Sequence, residues 1–201
     1  MIFCTNNIKD KLSKMDHVTI YLIGLPGTGK YTIAKEIAKS GFRIADNQLA
    51  NNPIFELIGY DGSREDAVTR DAWHAISQIR NVIFAFIEGD KQSNYVLTNV
   101  LLDDQGDKDL FDQVMSLAEK RNSIFVPVKL IISEEENARR IVNEDRKKRF
   151  KQIVPIKDYH SAKLITISHP NLLELDVSDK SAAEAARIIL EHARKFHELK
   201  P

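Results

Sequence analysis

VTIYLIGLPGTGKYTIAKEI, residues 18–37, joins three kinds of sequence in one run. Val18 to Ile23 is mostly apolar, as a buried strand requires. Gly24-Leu25-Pro26-Gly27-Thr28-Gly29-Lys30 is a glycine loop, and Ile33, Ala34, Ile37 and Ala38 then recur at helical spacing. The order is strand, loop, helix. Glycines let the loop curl with successive N–H groups pointing inward, the helix brings unpaired N-terminal donors and the positive end of its dipole, and Lys30 adds a mobile cation. Together these parts make a cradle for the β- and γ-phosphates of a nucleotide.

Gly24, Gly29 and Lys30 fill the first, sixth and seventh places of the phosphate-loop pattern G-x-x-x-x-G-K-[ST]. Tyr31 stands at the eighth, where a Ser or Thr hydroxyl reaches Mg²⁺, and the next hydroxyl is Thr32. On these residues the chain resembles the P-loop kinases of the nucleoside monophosphate kinase and shikimate kinase group. The resemblance implies ATP and Mg²⁺ as cofactors, with Gly24 to Thr32 around the phosphates. Adenylate kinases also carry their hydroxyl one place late, so Thr32 is the candidate metal ligand on the loop.

Composition narrows the setting. A chain of 201 residues is long enough to bury roughly 70% of the surface it exposes when unfolded. Lys plus Arg number 29 and Asp plus Glu number 29, so no overall field points to nucleic acid or membrane. The lone cysteine, Cys4, leaves no intrachain disulfide and suits a reducing cytoplasm. No apolar run approaches the ~18 residues of a membrane span. Residues 1–16 are polar with scattered apolar positions and read as an N-terminal arm, and residues 17–201 as one domain.

After the loop helix, Gly41 is a stop and Phe42 to Ala45 a short strand ending at Asp46. Ligands of open α/β sheets bind beyond the carboxyl ends of strands, which puts Asp46 on the rim of the glycine loop. Family resemblance gives an Asp here contact with the acceptor hydroxyl or with Mg²⁺; the residue also suits a helix N-cap. The following stretch to Ser63 contains Pro53 and an Asp61-Gly62 turn and predicts helix only in pieces. Resemblance places the acceptor-binding region over residues 47–90. Ala72, Ile76, Ile79, Val82, Ile83 and Phe86 predict a long helix with a wide buried face. Arg80 interrupts that face, either to snorkel or to bind an anionic group of the acceptor. Trp73 reads as core.

Tyr95 to Leu101 predicts a third strand, with Thr98 and Asn99 where P-loop enzymes carry a metal-supporting Asp; Asn99 is a candidate substrate contact. A helix bearing Leu110, Phe111, Val114, Met115 and Ala118 follows, then a strand from Ile124 to Ile132. Ser133 and Glu136 form a capping box for a helix that turns basic. From Arg139 to Lys151, seven cations minus two anions leave a charge of +5. Glu135–Arg139, Glu136–Arg140, Glu144–Lys148 and Asp145–Arg149 are i,i+4 pairs, as on a solvated face, whereas Arg146 has none. Resemblance makes residues 134–155 a lid, with Arg146 over the transferring phosphoryl group, Arg139 on the nucleotide and Arg149 on the acceptor. An arginine so placed contributes ~10³ to 10⁵ in rate. Nucleic acid could also meet this run, although only Phe150 interleaves an aromatic ring. Leu172 to Val177 and a helix capped at Ser181 close the chain.

Five strands alternating with helices predict a three-layer α/β/α fold around a parallel sheet, and the resemblance adds the P-loop NTPase fold with a helical lid. The expected function is an ATP-dependent phosphotransferase. Lys30 holds phosphates, Asp46 serves an acceptor hydroxyl or Mg²⁺, and Arg146 neutralises developing charge. ATP is favoured over GTP because no N-K-x-D guanine motif is present. The rival is a nucleotide-binding switch, or degenerate kinase, with a protein or RNA partner. Tyr31 and Asn99 favour that rival.

Overall fold

The computed structural model describes residues 17–61, 68–142 and 163–197. The elements are β1 (Val18–Ile23), α1 (Lys30–Ala38), β2 (Phe42–Asp46), α2 (Gln48–Leu57), α3 (Arg70–Gly89), β3 (Asn94–Asn99), α4 (Gln105–Lys120), β4 (Ile124–Ile131), α5 (Glu134–Ile141), β5 (Leu173–Asp176) and α6 (Ala182–His197). The strands pair in parallel in the order β2-β3-β1-β4-β5. Such a sheet is stable only with both faces covered. Alternate residues of β1 divide accordingly. Val18, Ile20 and Leu22 join Ile33 and Ile37 of α1 and Ile189 and Ala193 of α6 in one core, while Tyr21 and Ile23 join Ile87, Phe111 and Val114 in the other. Three α/β/α layers result, as the sequence implied.

A third, smaller core links α2 to α3 through Ala50, Phe55, Tyr60, Val68, Ala72 and Ile76. It explains why α2 runs unbroken through Pro53, against the expectation of helix only in pieces. Proline removes one ladder hydrogen bond, but Pro53 is exposed and Phe55, two residues on, stacks 4.5 Å from the Tyr60 ring. Packing outweighs the local defect. The opposite correction applies to α3, whose apolar stripe is wider than the surface available to cover it. Ala72, Ile76 and Ile87 are buried, whereas Val82 and Phe86 turn outward and are 71% and 68% exposed. Trp73 sits at the border, edge-on to Phe55 at 5.9 Å.

At the amino end of the sheet, away from the glycine loop, Arg121 is 1% exposed. Its guanidinium donates to the carbonyls of Asp90 and Ser93 and to Thr19 Oγ1, and it lies 4.7 Å from the centre of the Tyr95 ring. One side chain thus ties the turn before β3 to the turn before β4. The outer side of β4 is finished differently, because the four-residue β5 pairs only with Val128 to Ile131. Below that ladder come Pro127, which has no N–H, and Phe125, whose carbonyl accepts the Asn171 side-chain amide at 2.9 Å.

Candidate active site

Backbone geometry in the glycine loop follows from three positions. Gly27 and Gly29 have φ of 90° and 84°, in the left-handed region that favours glycine. At Gly24 a Cβ would come 2.9 Å from Thr28 Oγ1 and 3.0 Å from the Leu130 carbonyl. Thr28, 1% exposed, donates its hydroxyl to the Leu25 carbonyl at 2.9 Å and fixes the turn from inside. Gly29 caps α1 without a side-chain cap bond, and the first turn of α1 carries no acid, so the helix keeps a positive end for an anion. Lys30 Nζ folds back onto the carbonyls of Gly24, at 2.5 Å, and Leu25, at 3.0 Å. Its charge therefore lies within the curl of the loop.

Asp46 and the loop share one rim of the sheet. β3 lies between their strands, with Asp46 in register with Thr98 and Ile23 in register with Asn99. Two strand spacings put the end of β2 about 10 Å from the start of the loop, room for a phosphoryl group between them. Thr98 donates its hydroxyl to Asp46 Oδ1 at 2.6 Å and holds the carboxylate in place. Asn99 is 6% exposed, and its backbone carbonyl accepts the Gly24 N–H at 3.3 Å.

α5 closes the site from the other side. Asn137, fully buried, donates its side-chain amide to the Pro26 carbonyl at 2.6 Å, and a Cβ at Gly27 would collide with that same amide. Arg140 joins α5 to the turn after β5, donating to the Glu136 carboxylate and to the carbonyls of Val177 and Ser178; its guanidinium lies 3.8 Å from where a Cβ on Gly29 would stand. Arg139 pairs with Glu136 rather than Glu135, and its side chain is 74% exposed. The two arginines hold the Glu136 carboxyl down to about 2. Of the pair, the structure brings Arg140 to the glycine loop. Neither Asn137 nor Arg140 was marked as a site residue by the sequence.

Arg80 is drawn inward toward Tyr21 and Asp107. Burial lowers the pKa of its guanidinium, the nearby Tyr21 and Asp107 oppose that shift, and Nε finds no protein acceptor. Tyr31 is half-buried, with Lys35 Nζ 5.3 Å from its ring centre, and Thr32 is exposed. Arg146, Arg149 and the rest of the expected lid beyond residue 142, like the expected arm of residues 1–16, lie outside the described residues. Among the described residues no three His, Cys, Asp or Glu side chains group closely enough to cage a metal. Mg²⁺ needs no such cage, since it keeps waters and takes one or two carboxylates together with substrate phosphates. Asp46 on the loop's rim fits that demand.

No protein-family model and no curated protein sequence matches the chain. Solved structures do. A gluconokinase from Sinorhizobium meliloti superposes with a TM-score of 0.62 at 16% identity, over 92% of this chain and 97% of that one. The APS kinase of Mycobacterium tuberculosis, solved in complex with AMPPNP and APS, gives 0.54 at 13% identity over 90% and 99%. The shikimate kinase of Acinetobacter baumannii, in complex with shikimate, gives 0.51 at 15% identity over 96% and 99%. The fold is that of the P-loop kinases. Among the described residues no helix is long and apolar enough to cross a membrane.

Proposed function

We propose that the chain is an ATP-dependent phosphotransferase acting on a small molecule that bears a hydroxyl or phosphate group. One observation carries the reading: Lys30 is curled inside a loop shaped by Gly27 and Gly29, with the Thr98-held carboxylate of Asp46 on the same rim. The glycine loop and the amino end of α1, together with the Lys30 ammonium, hold the phosphates of the donor. Asp46 orients the acceptor hydroxyl and would hold Mg²⁺, with Thr32 as the loop's own hydroxyl; when bound, the ion neutralises phosphate charge. Arg140 borders the nucleotide, and Arg139, Arg146 and Arg149 are the cations available to a closing lid. Arg80 and Asn99 remain acceptor candidates, and a cytoplasmic setting accompanies the reading. The kinases of similar fold, named for gluconate, APS and shikimate, support a small-molecule acceptor. Calorimetric titration with Mg·ATP, followed by ADP release against a panel of hydroxylated and phosphorylated metabolites, tests it. Absence of ATP binding refutes it.

A second reading has its own observation. Tyr31 fills the usual hydroxyl position with a ring covered by Lys35, which favours a nucleotide-binding switch with a protein or RNA partner and little turnover. ATP binding that alters a partner's affinity, without ADP release on any acceptor, would select it.

A further inference from the structure

Eight buried side-chain atoms among the described residues find no hydrogen-bond partner, and four of them lie in one short piece of chain: Asn47 Oδ1, Gln48 Oε1, Asn51 Oδ1 and Asn52 Oδ1. Buried polar atoms are nearly always paired, because an orphaned one is destabilising, so four together need a reason. Spacings of i, i+1, i+4 and i+5 put them on one side of α2, beginning at the residue after Asp46. Asn51 is only 4% exposed. Capping does not explain them, since Asn47 makes no side-chain cap bond. The apolar residues Ala50, Ile54 and Phe55, through which α2 packs on α3, offer these oxygens no side-chain donor.

Orphaned amide oxygens call for donors. A carboxylate or phosphate supplies none, whereas a hydroxyl donates to the oxygen and accepts from the amide nitrogen of the same side chain. We propose that α2 is the reading surface of the acceptor site and that the acceptor is a small molecule that presents several hydroxyls to it. Its hydroxyls donate to Asn47, Gln48, Asn51 and Asn52, and the one nearest Asp46 receives the phosphoryl group. In that step the hydroxyl oxygen bonds to the γ-phosphorus as the bond to the β–γ bridging oxygen breaks. ADP leaves, and the hydroxyl proton passes to Asp46. The assignment rests on the phosphotransferase reading for the transfer, but not for the binding.

The test separates the two. Thermal shift and calorimetry on the full chain, without nucleotide, use a hexitol, an aldohexose, an aldonate and adenosine monophosphate as probes. The hexitol, the aldohexose or the aldonate should raise the melting temperature. Asn51→Leu should melt higher than wild type without ligand, because an orphaned group has been removed, yet bind that probe about tenfold or more weaker. Its Mg·ATP affinity should stay within twofold. Gln48→Leu repeats the measurement should Asn51→Leu fail to fold. Binding lost in the variant, in a protein that never turns over ATP, would keep the site and sink the kinase. Turnover on an acceptor insensitive to both substitutions would keep the kinase and overturn the proposal. So would a lower ligand-free melting temperature with an unchanged probe response, or no response to any probe.

Discussion

The side-chain amide of Asn137 in α5 donates to the carbonyl of Pro26 in the glycine loop at 2.6 Å, across 111 residues of chain. α5 thus helps to shape the glycine loop. Asn137→Leu would leave the Pro26 carbonyl buried without a donor, at a cost of about 1–3 kcal/mol. The expected result is a lower melting temperature and weaker Mg·ATP binding together. Wild-type values for both would show that the loop holds its shape alone.

Lys30→Ala removes a cation from a partly exposed cradle and leaves the apolar cores intact. Circular dichroism should be unchanged while calorimetric binding of Mg·ATP is lost. Retained affinity and turnover would refute the phosphate-loop assignment.

Asp46→Asn keeps the shape of the side chain and the contact to Thr98 but removes the charge. ATP affinity should stay within a few-fold, and transfer to the acceptor should fall by orders of magnitude because the change acts on the transition state. Transfer at the wild-type rate would exclude Asp46 from the chemistry.

Arg140→Ala and Arg139→Ala form a contrasting pair. Loss of Arg140 unties α5 from the carbonyls of Val177 and Ser178 and should weaken nucleotide binding; Arg139 is exposed, and its loss should change stability by less than about 0.5 kcal/mol. Both cations hold Glu136 in its charged form, so its pKa is lower in the folded chain than in the unfolded one. The clamp is therefore fully stabilising above about 4.5 and weakens as pH falls toward about 2. Acid titration of Glu136→Gln should give a melting-temperature deficit at neutral pH that closes over that interval. A deficit independent of pH would mean that the carboxylate charge contributes nothing.

Arg121→Met tests the opposite end of the molecule. It strips donors from the Asp90 and Ser93 carbonyls and should destabilise by roughly 3 kcal/mol or more, since bonds to charged groups exceed ordinary ones. The Michaelis constant for ATP should not move. Denaturant unfolding beside steady-state kinetics separates the two effects.

Much of the fold was legible because its signals are local. The limits of β1 coincide with the apolar run before Gly24, Asp46 ends β2, and Ser133 caps α5. What escaped depends on who packs against whom. Asn137 sits in the polar run EEENARR, and only its i,i+4 relation to the buried Ile141 hints that it points inward. Whether Arg139 or Arg140 meets the loop is fixed by the rotation of α5 against the turn after β5, which no spacing encodes. Pro53 predicted a break because its cost is local, while the Phe55–Tyr60 contact that offsets it is tertiary. Val82 and Phe86 look like core by period alone, and become surface because α3 has more apolar residues than it has neighbours.

The outer side of β4 beyond the reach of β5 bears on how the protein behaves in a crowded solution. An open strand edge is a template on which another chain can crystallise as added β-structure, the first step toward fibrils. Here no such row lies open below the ladder: Pro127 offers no donor, the Phe125 carbonyl is already taken by Asn171, and both residues are buried, with His169 edge-on to the Phe125 ring. Asn171 and His169 thus close the lower half of β4 to an added strand as β5 closes its upper half, at residues remote from the glycine loop.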